Sequence, residues 1–309
     1  MSKTKTTSMM RFRYLLQAMR PAQWTKNSIL FAAFVFGYGD QTLDIVWQDG
    51  LRVIPAFLLF SIAASAIYIF NDLLDRPQDK QHPTKRYRPI AAGLLPPRFA
   101  TSAATALLAL SLIVSYALSV PFARILLVYL LLQGLYTSLL KRVALLDIFI
   151  IAAGFVLRAI AGAELLAIPI SPWLLVCTFL LALFLALCKR RHEKASIEAG
   201  ASARQRISLQ KYDLLLTDQL ISIVAGATTV VYAIYTLWPE TITKFGSARL
   251  AFTIPIVMFG MFRYLDLLYR ENKGDRPEQV LLTDIPIIIT IITYAIAVLS
   301  LFTISHGSP

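Results

Sequence analysis

Long apolar blocks leave this chain few choices of fold. They centre on residues 27–44, 52–71, 99–118, 121–140, 145–163, 171–189, 219–238, 250–269 and 283–303. A helix of about 20 apolar residues matches the hydrocarbon thickness of a bilayer. The residues are 57% hydrophobic and only 16% charged, against about a quarter charged in a soluble domain. The sequence therefore predicts an all-α integral membrane protein of nine transmembrane helices. Residues 27–303 form a single transmembrane domain, 1–26 a cytoplasmic N-terminal tail and 304–309 a short C-terminal tail. The first block is the weakest, because Gly37, Gly39 and Asp40 shorten it. The joints at Ser119-Val120-Pro121 and Ala167-Ile168-Pro169 read as tight turns between antiparallel helices.

Charge fixes the orientation. The net charge of +12 would raise nucleic acid as a partner in a soluble chain. Here the basic residues lie between spans, so topology and anionic substrates explain them and no nucleic acid is expected. With nine spans, twenty-five of the 30 lysines and arginines fall on one side. They include Lys3, Lys5, Arg11 and Arg13 before the first span, and Arg204, Arg206, Lys273 and Arg276 in later loops. The opposite side holds Arg52, Arg124, Lys244 and Arg249, and Arg158 lies within a span. The positive-inside rule puts the N-terminus and the basic loops in the cytoplasm of a multi-pass protein of the inner (plasma) membrane. No cleavable signal sequence is visible at the start. Cys177 and Cys188 share one apolar block and form no disulfide or metal-thiolate pattern, and His82, His192 and His306 form no HExxH or triad pattern. The two long cytoplasmic loops, after spans two and six, read as functional segments. Their spacing of four spans hints at a duplicated unit, without a clear sequence repeat.

The first of those loops opens with Asn71, Asp72, Asp75 and Asp79 and continues with Lys85, Arg86 and Arg88. At about 100° per residue the three aspartates share one helical face, where they repel unless a cation lies between them. Hard oxygen ligands suit Mg2+, with Asp72 and Asp75 as ligands and Asp79 as a further one, direct or through water. Asn71 adds a neutral oxygen or an amide donor. The cations that follow suit phosphate: Lys as a point charge, Arg through bidentate contacts. A solvated loop of mixed charge is the plain alternative.

Four further places carry candidate chemistry. Tyr136 and Lys141 end span four, with Asp147 shortly after; they can reach a substrate phosphate, or serve as an interfacial tyrosine and a topogenic lysine. Arg158, inside a span, is expected to face a polar cavity and an anion, or to pair with a carboxylate. Lys189, Arg190 and Arg191 close span six and could cradle a second phosphate. Lys26 and Asn27 sit one turn inside span one, within reach of substrate, behind Trp24 as an interfacial anchor. Together these groups point to a Mg2+-assisted substitution that expels pyrophosphate. No His or Cys nucleophile is needed if the acceptor is already an anion.

The Asn71-Asp72-x-x-Asp75-x-x-x-Asp79 element resembles the first Asp-rich motif of UbiA-type intramembrane prenyltransferases. Further stretches resemble one branch of them, the decaprenyl-phosphate phosphoribosyltransferases. These are His82 to Gly93, Arg20-Pro21-x-Gln23-Trp24-x-Lys26-Asn27, Gly154 to Arg158, and Lys189 to Arg191. The resemblance implies a nine-helix bundle with a lateral lipid opening. It implies transfer of 5-phosphoribosyl from phosphoribosyl diphosphate to a polyprenyl phosphate, with release of pyrophosphate, for cell-wall glycan synthesis. It also implies that Asn71, Asp72, Asp75 and Asp79 hold Mg2+ and donor, and that Lys85, Arg86, Lys189, Arg190 and Arg191 bind the donor phosphates. Prenyltransferases of this type usually carry a second Asp-rich motif after span six, where this chain has Lys189, Arg190 and Arg191. A basic cluster there suits the extra phosphate of the sugar donor. A prenyltransferase with a prenyl diphosphate and an aromatic acceptor remains the alternative, and a transporter of phosphorylated lipids a second one of another class. The sequence leaves the lipid's chain length and the oligomeric state open, a homo-oligomer included.

Overall fold

Every regular element among the described residues is helical. The computed structural model describes residues 2–198, 209, 211–271, 274 and 277–306. Arg204, Arg206, Lys273 and Arg276 of the charge count, and residues 307–309, lie outside them. Helix α1 spans Ser2–Met19, and a 3-10 segment, Pro21–Leu30, leads into α2, Phe31–Gly39. Then come α3 (Asp49–Leu74), the short α4 (Arg76–Asp79), α5 (Pro97–Leu118), α6 (Val120–Ser138) and α7 (Leu146–Leu166). After these follow α8 (Pro172–Glu198), α9 (Leu214–Leu237), α10 (Pro239–Phe245), α11 (Ile254–Tyr269), α12 (Pro277–Thr283) and α13 (Ile285–His306). Eight of the described helices are long and apolar enough to cross a membrane, so the protein is a multi-pass membrane protein.

The first expected span differs. Its sequence forms the 3-10 segment and the nine-residue α2 rather than one long helix. Pro21 and the glycines of α2 account for this, since they weaken helix propagation at both ends. The segment expected as a tail forms α1, whose last turn buries Ala18 and Met19 beside Ala66 and Ile69 of α3. Trp24, expected as an interfacial anchor, also makes a tertiary contact. Its indole N–H donates to Ser65 Oγ at 3.0 Å, and Ser65 in turn donates to the Met19 carbonyl. The loop expected after residue 189 begins later, because α8 continues to Glu198.

Helix α7 sits at the centre. Its first half, with Ile148 and Ala152, packs into one apolar cluster with α8, α9, α11 and α13. Its second half, with Ala161, Leu165 and Leu166, joins another with α2, α3 and α6. Of the most apolar window, 56% is buried in α3 and in α7 but only 17% in α5 and α13, which leaves the latter two to face lipid.

Gly162 lets the 3-10 segment reach this centre. A Cβ there would stand 2.1 Å from the Leu30 carbonyl oxygen, a backbone atom that cannot swing aside. Overpacking of this kind typically costs about 1–3 kcal/mol. Gly162→Ala should lower the thermal unfolding temperature in detergent and the yield of monodisperse protein. Gly226→Ala should do neither, because nothing lies within 4 Å of that Cβ. Equal unfolding temperatures for the two variants would contradict this packing.

Candidate active site

The carboxylates gather where α3 ends. Pro77 stops the helix, because it lacks an N–H and its ring clashes with the preceding turn, yet it is accepted in the first turn of α4. The chain keeps a helical course across the break. The Asp75 N–H donates to the Asn71 carbonyl at 2.9 Å and the Asp79 N–H to the Asp75 carbonyl at 2.8 Å. Residues three, four and seven apart then share one face, with the four- and seven-apart pairs the better aligned. Two pairs result. Asp72 and Asp79 share Arg88, whose one guanidinium nitrogen lies 3.0 Å and 2.7 Å from their carboxylates. Asn71 and Asp75 share the Lys141 ammonium, which donates to the two side chains at 3.2 Å and 2.7 Å.

A third cation was not singled out by sequence. Arg20 forms an ion pair with Asp72 and stacks on Tyr68, its guanidinium carbon 5.1 Å from the ring centroid. Its backbone is left-handed, φ 54° and ψ 64°, at the corner between α1 and the 3-10 segment. An Arg-Pro step at the head of the first block was the available signal. Arg86, expected on phosphate, is exposed and turned to its neighbour. It donates to the Tyr87 hydroxyl at 2.6 Å and lies over that ring. Lys85 is half-buried in the same turn. His82 Nδ1 accepts the backbone N–H groups of Thr84 and Lys85, both at 3.3 Å. Burial, then the charge of Lys85, pushes the His82 pKa down, so the ring stays a neutral acceptor near pH 7.

The protein groups that hold Arg158 are neutral ones rather than a carboxylate. Its Nε donates to Asn27 Oδ1 and its two terminal nitrogens to the Gly154 carbonyl and the Tyr129 hydroxyl, all within 2.8 Å. The rings of Phe60, Tyr129 and Phe155 surround the guanidinium. Asn27 in turn donates to Ser61 Oγ at 2.9 Å. The group is a buried clasp between α7, α6, α3 and the 3-10 segment, and Asn27 is taken up in it. Lys26 and Tyr136 are half-buried at the same end as the carboxylates.

Sequence and structure comparisons identify the family and the fold. Residues 29–282 match the UbiA prenyltransferase family. The chain belongs to that family. It is an enzyme of the UbiA type. A decaprenyl-phosphate phosphoribosyltransferase of Mycolicibacterium smegmatis is 35% identical over 80% of this chain and 81% of its own length. One of the same name from Corynebacterium glutamicum is 34% identical over 87% and 81%. A UbiA homologue from Archaeoglobus fulgidus, solved with DMAPP and Mg2+, superposes with a TM-score of 0.69 over 94% of this chain and 99% of its own, at 18% identity. That likeness concerns the fold.

The UbiA site of this chain offers oxygen donors only, which fits a hard cation such as Mg2+. Asp72 and Asp79 already converge on one positive group, Arg88. Among the described residues no three His, Cys, Asp or Glu side chains form a ready metal cage. Basic partners draw them instead: Arg88 holds Asp72 and Asp79, Arg20 also pairs with Asp72, and Lys141 holds Asp75.

The basic cluster at the end of α8 needs correction. Because α8 runs on to Glu198, Lys189, Arg190 and Arg191 leave it about 100° apart from one residue to the next, and carboxylates of other helices engage Arg190 and Arg191. Arg190 is 3% exposed, with its Nε 3.0 Å from Asp147 Oδ2 and an ion pair to Glu193. Arg191 lies 3.0 Å from Asp218 and over Tyr269, which also donates to Asp218. Both arginines brace helices; Lys189 is half-buried. Breaking one partner of a buried pair costs about 3–5 kcal/mol. Arg190→Gln should therefore lower the unfolding temperature markedly, whereas Lys141→Gln, in a partly exposed pair, should leave it nearly unchanged. An Arg190→Gln variant as stable as the parent would reject the brace.

Proposed function

We propose that this chain transfers the 5-phosphoribosyl group of phosphoribosyl diphosphate to a polyprenyl phosphate of the decaprenyl type and releases pyrophosphate. The observation that carries the reading is the meeting of two cation-linked pairs, Asp72 with Asp79 and Asn71 with Asp75, with the phosphoribosyltransferase relatives' identity across four-fifths of the chain. The donor carries a strong negative charge divided between a phosphate and a diphosphate, so a site mixing metal-binding oxygens with Arg20, Arg88 and Lys141 matches it. Asn71, Asp72, Asp75 and Asp79 would hold Mg2+, which when bound neutralises charge on the departing diphosphate. Arg88 and Lys141 stand where they can exchange a carboxylate for a phosphate oxygen without leaving the site. Lys85 and Arg86 lie on the adjacent turn, near enough in sequence to close over a donor. Lys26 and Tyr136 would approach the donor from the 3-10 segment and from the end of α6.

The bond change balances without a protein nucleophile. A lipid phosphate oxygen forms the new bond to the anomeric carbon as the bond from that carbon to the diphosphate breaks. Pyrophosphate leaves with the electron pair, and no proton need move, because the acceptor is an anion. Arg158 acts here as a positioning residue, holding the 3-10 segment behind Lys26. The charge asymmetry supports the reading that this end faces the cytoplasm of an inner-membrane protein. Residues 27–303 then form one catalytic domain, and the product would serve cell-wall glycan synthesis.

The test uses purified protein in lipid with labelled phosphoribosyl diphosphate, Mg2+ and polyprenyl phosphate. The expected result is a labelled lipid with pyrophosphate release. Asp72→Asn and Asp75→Asn should each lose about 10²–10³-fold in rate, the scale of several kcal/mol of charge stabilisation, with expression intact. Prenylation of an aromatic acid instead would assign the sugar-free branch. Movement of polyprenyl phosphate across vesicles that survives Asp72→Asn, with no product, would assign a transporter.

A further inference from the structure

We propose that Tyr212 is a positioning residue: its hydroxyl clamps the turn between α6 and α7 so that the Lys141 ammonium stays on Asn71 and Asp75. The inference deepens the reaction proposed above and rests on it. The turn itself is strained. Leu145 has φ 65° and ψ −46°, a conformation that L residues with a Cβ avoid. Something must hold it there. The Leu145 N–H donates to the Tyr212 hydroxyl at 3.0 Å, and the same hydroxyl donates its proton to Asp147 Oδ1 at 2.6 Å. One oxygen thus fixes two residues of the turn at once.

The clamp is anchored on both sides. Tyr212 is 4% exposed and directly precedes Asp213, whose carboxylate accepts the Leu216 N–H at 2.8 Å and caps α9. Asp147, fully buried, also faces Arg190 of α8. Burial, then the bond to Asp147, pushes the Tyr212 pKa above the phenol range, so the hydroxyl remains a donor. Lys141 stands four positions before Leu145, in the 3-10 turn Leu140–Arg142, and reaches Asp75 at 2.7 Å. A shift of the turn therefore swings the ammonium away from the carboxylates. Displacement of a positioning group by about 1 Å can cost 10²-fold in rate. The lipid acceptor has no stake in this lever.

The test is Tyr212→Phe in the full chain in nanodiscs, which keeps the ring and removes both hydrogen bonds. Amide exchange across residues 139–147, measured without substrate, should speed up. The kcat/KM for phosphoribosyl diphosphate should fall about 10- to 100-fold, with the KM for polyprenyl phosphate unchanged. In a Lys141→Gln background Tyr212→Phe should have little further effect, and Leu145→Gly, which tolerates the positive φ, should restore part of the lost rate. Unchanged exchange would overturn the clamp. A full, multiplicative loss in the Lys141→Gln background, or an equal rise in acceptor KM, would overturn its positioning role. A parent protein that exchanges as expected but transfers no phosphoribosyl group would instead sink the functional reading and leave the clamp supported.

Discussion

Negative charge at the end of α3 is the constraint that organises this end of the molecule. Asp72, Asp75 and Asp79 cannot lie together without positive partners. The partners come from three separate parts of the chain. Arg20 arrives from the corner before the 3-10 segment, 52 residues from Asp72. Arg88 returns from the loop that follows α4, and Lys141 from the turn after α6. Each ion pair thus closes a stretch of topology as well as a charge. Ordering those segments carries an entropic cost, which the shared partners of Arg88 and Lys141 help to offset.

A second polar group works behind the first. Arg158, Asn27, Tyr129 and Ser61 form a buried hydrogen-bonded knot, and Gly162 removes the side chain that would hold the 3-10 segment off α7. The knot places that segment, and the acidic end of α3 stands beyond it. Three aromatic rings and neutral acceptors wrap the guanidinium through cation–π contacts and charge-assisted bonds. Beyond the knot, Tyr212, Asp147 and Arg190 tie α7, α8 and the start of α9 together.

Most of the fold was legible because apolar block length dictates spanning helices. The exceptions have local causes. The block at 27–44 carries Gly37 and Gly39, and Pro21 lies just before it, so hydropathy counted a span where the backbone forms two short pieces. The acidic motif was legible as a site, yet its internal pairing was not anticipated. Spacing of four and seven aligns residues on a helix, so Asn71 goes with Asp75 and Asp72 with Asp79. Lys189, Arg190 and Arg191 misled because charge was counted without direction: consecutive residues on a continuing helix diverge. The protein partners of Arg158 are an amide, a carbonyl, a phenol and ring faces that come together only in the fold. Arg20 and Tyr212 act through tertiary contacts with residues far away in sequence, which no local pattern signals.

The most direct measurement is a structure of the protein in lipid with phosphoribosyl diphosphate and Mg2+. The account predicts a metal ion on Asp72 with Asp79 or Asp75, and the diphosphate against Arg88 and Lys141, both turned from their carboxylates to phosphate oxygens. Diphosphate bound instead between Arg190 and Arg191, with Arg88 still bridging Asp72 and Asp79, would contradict it.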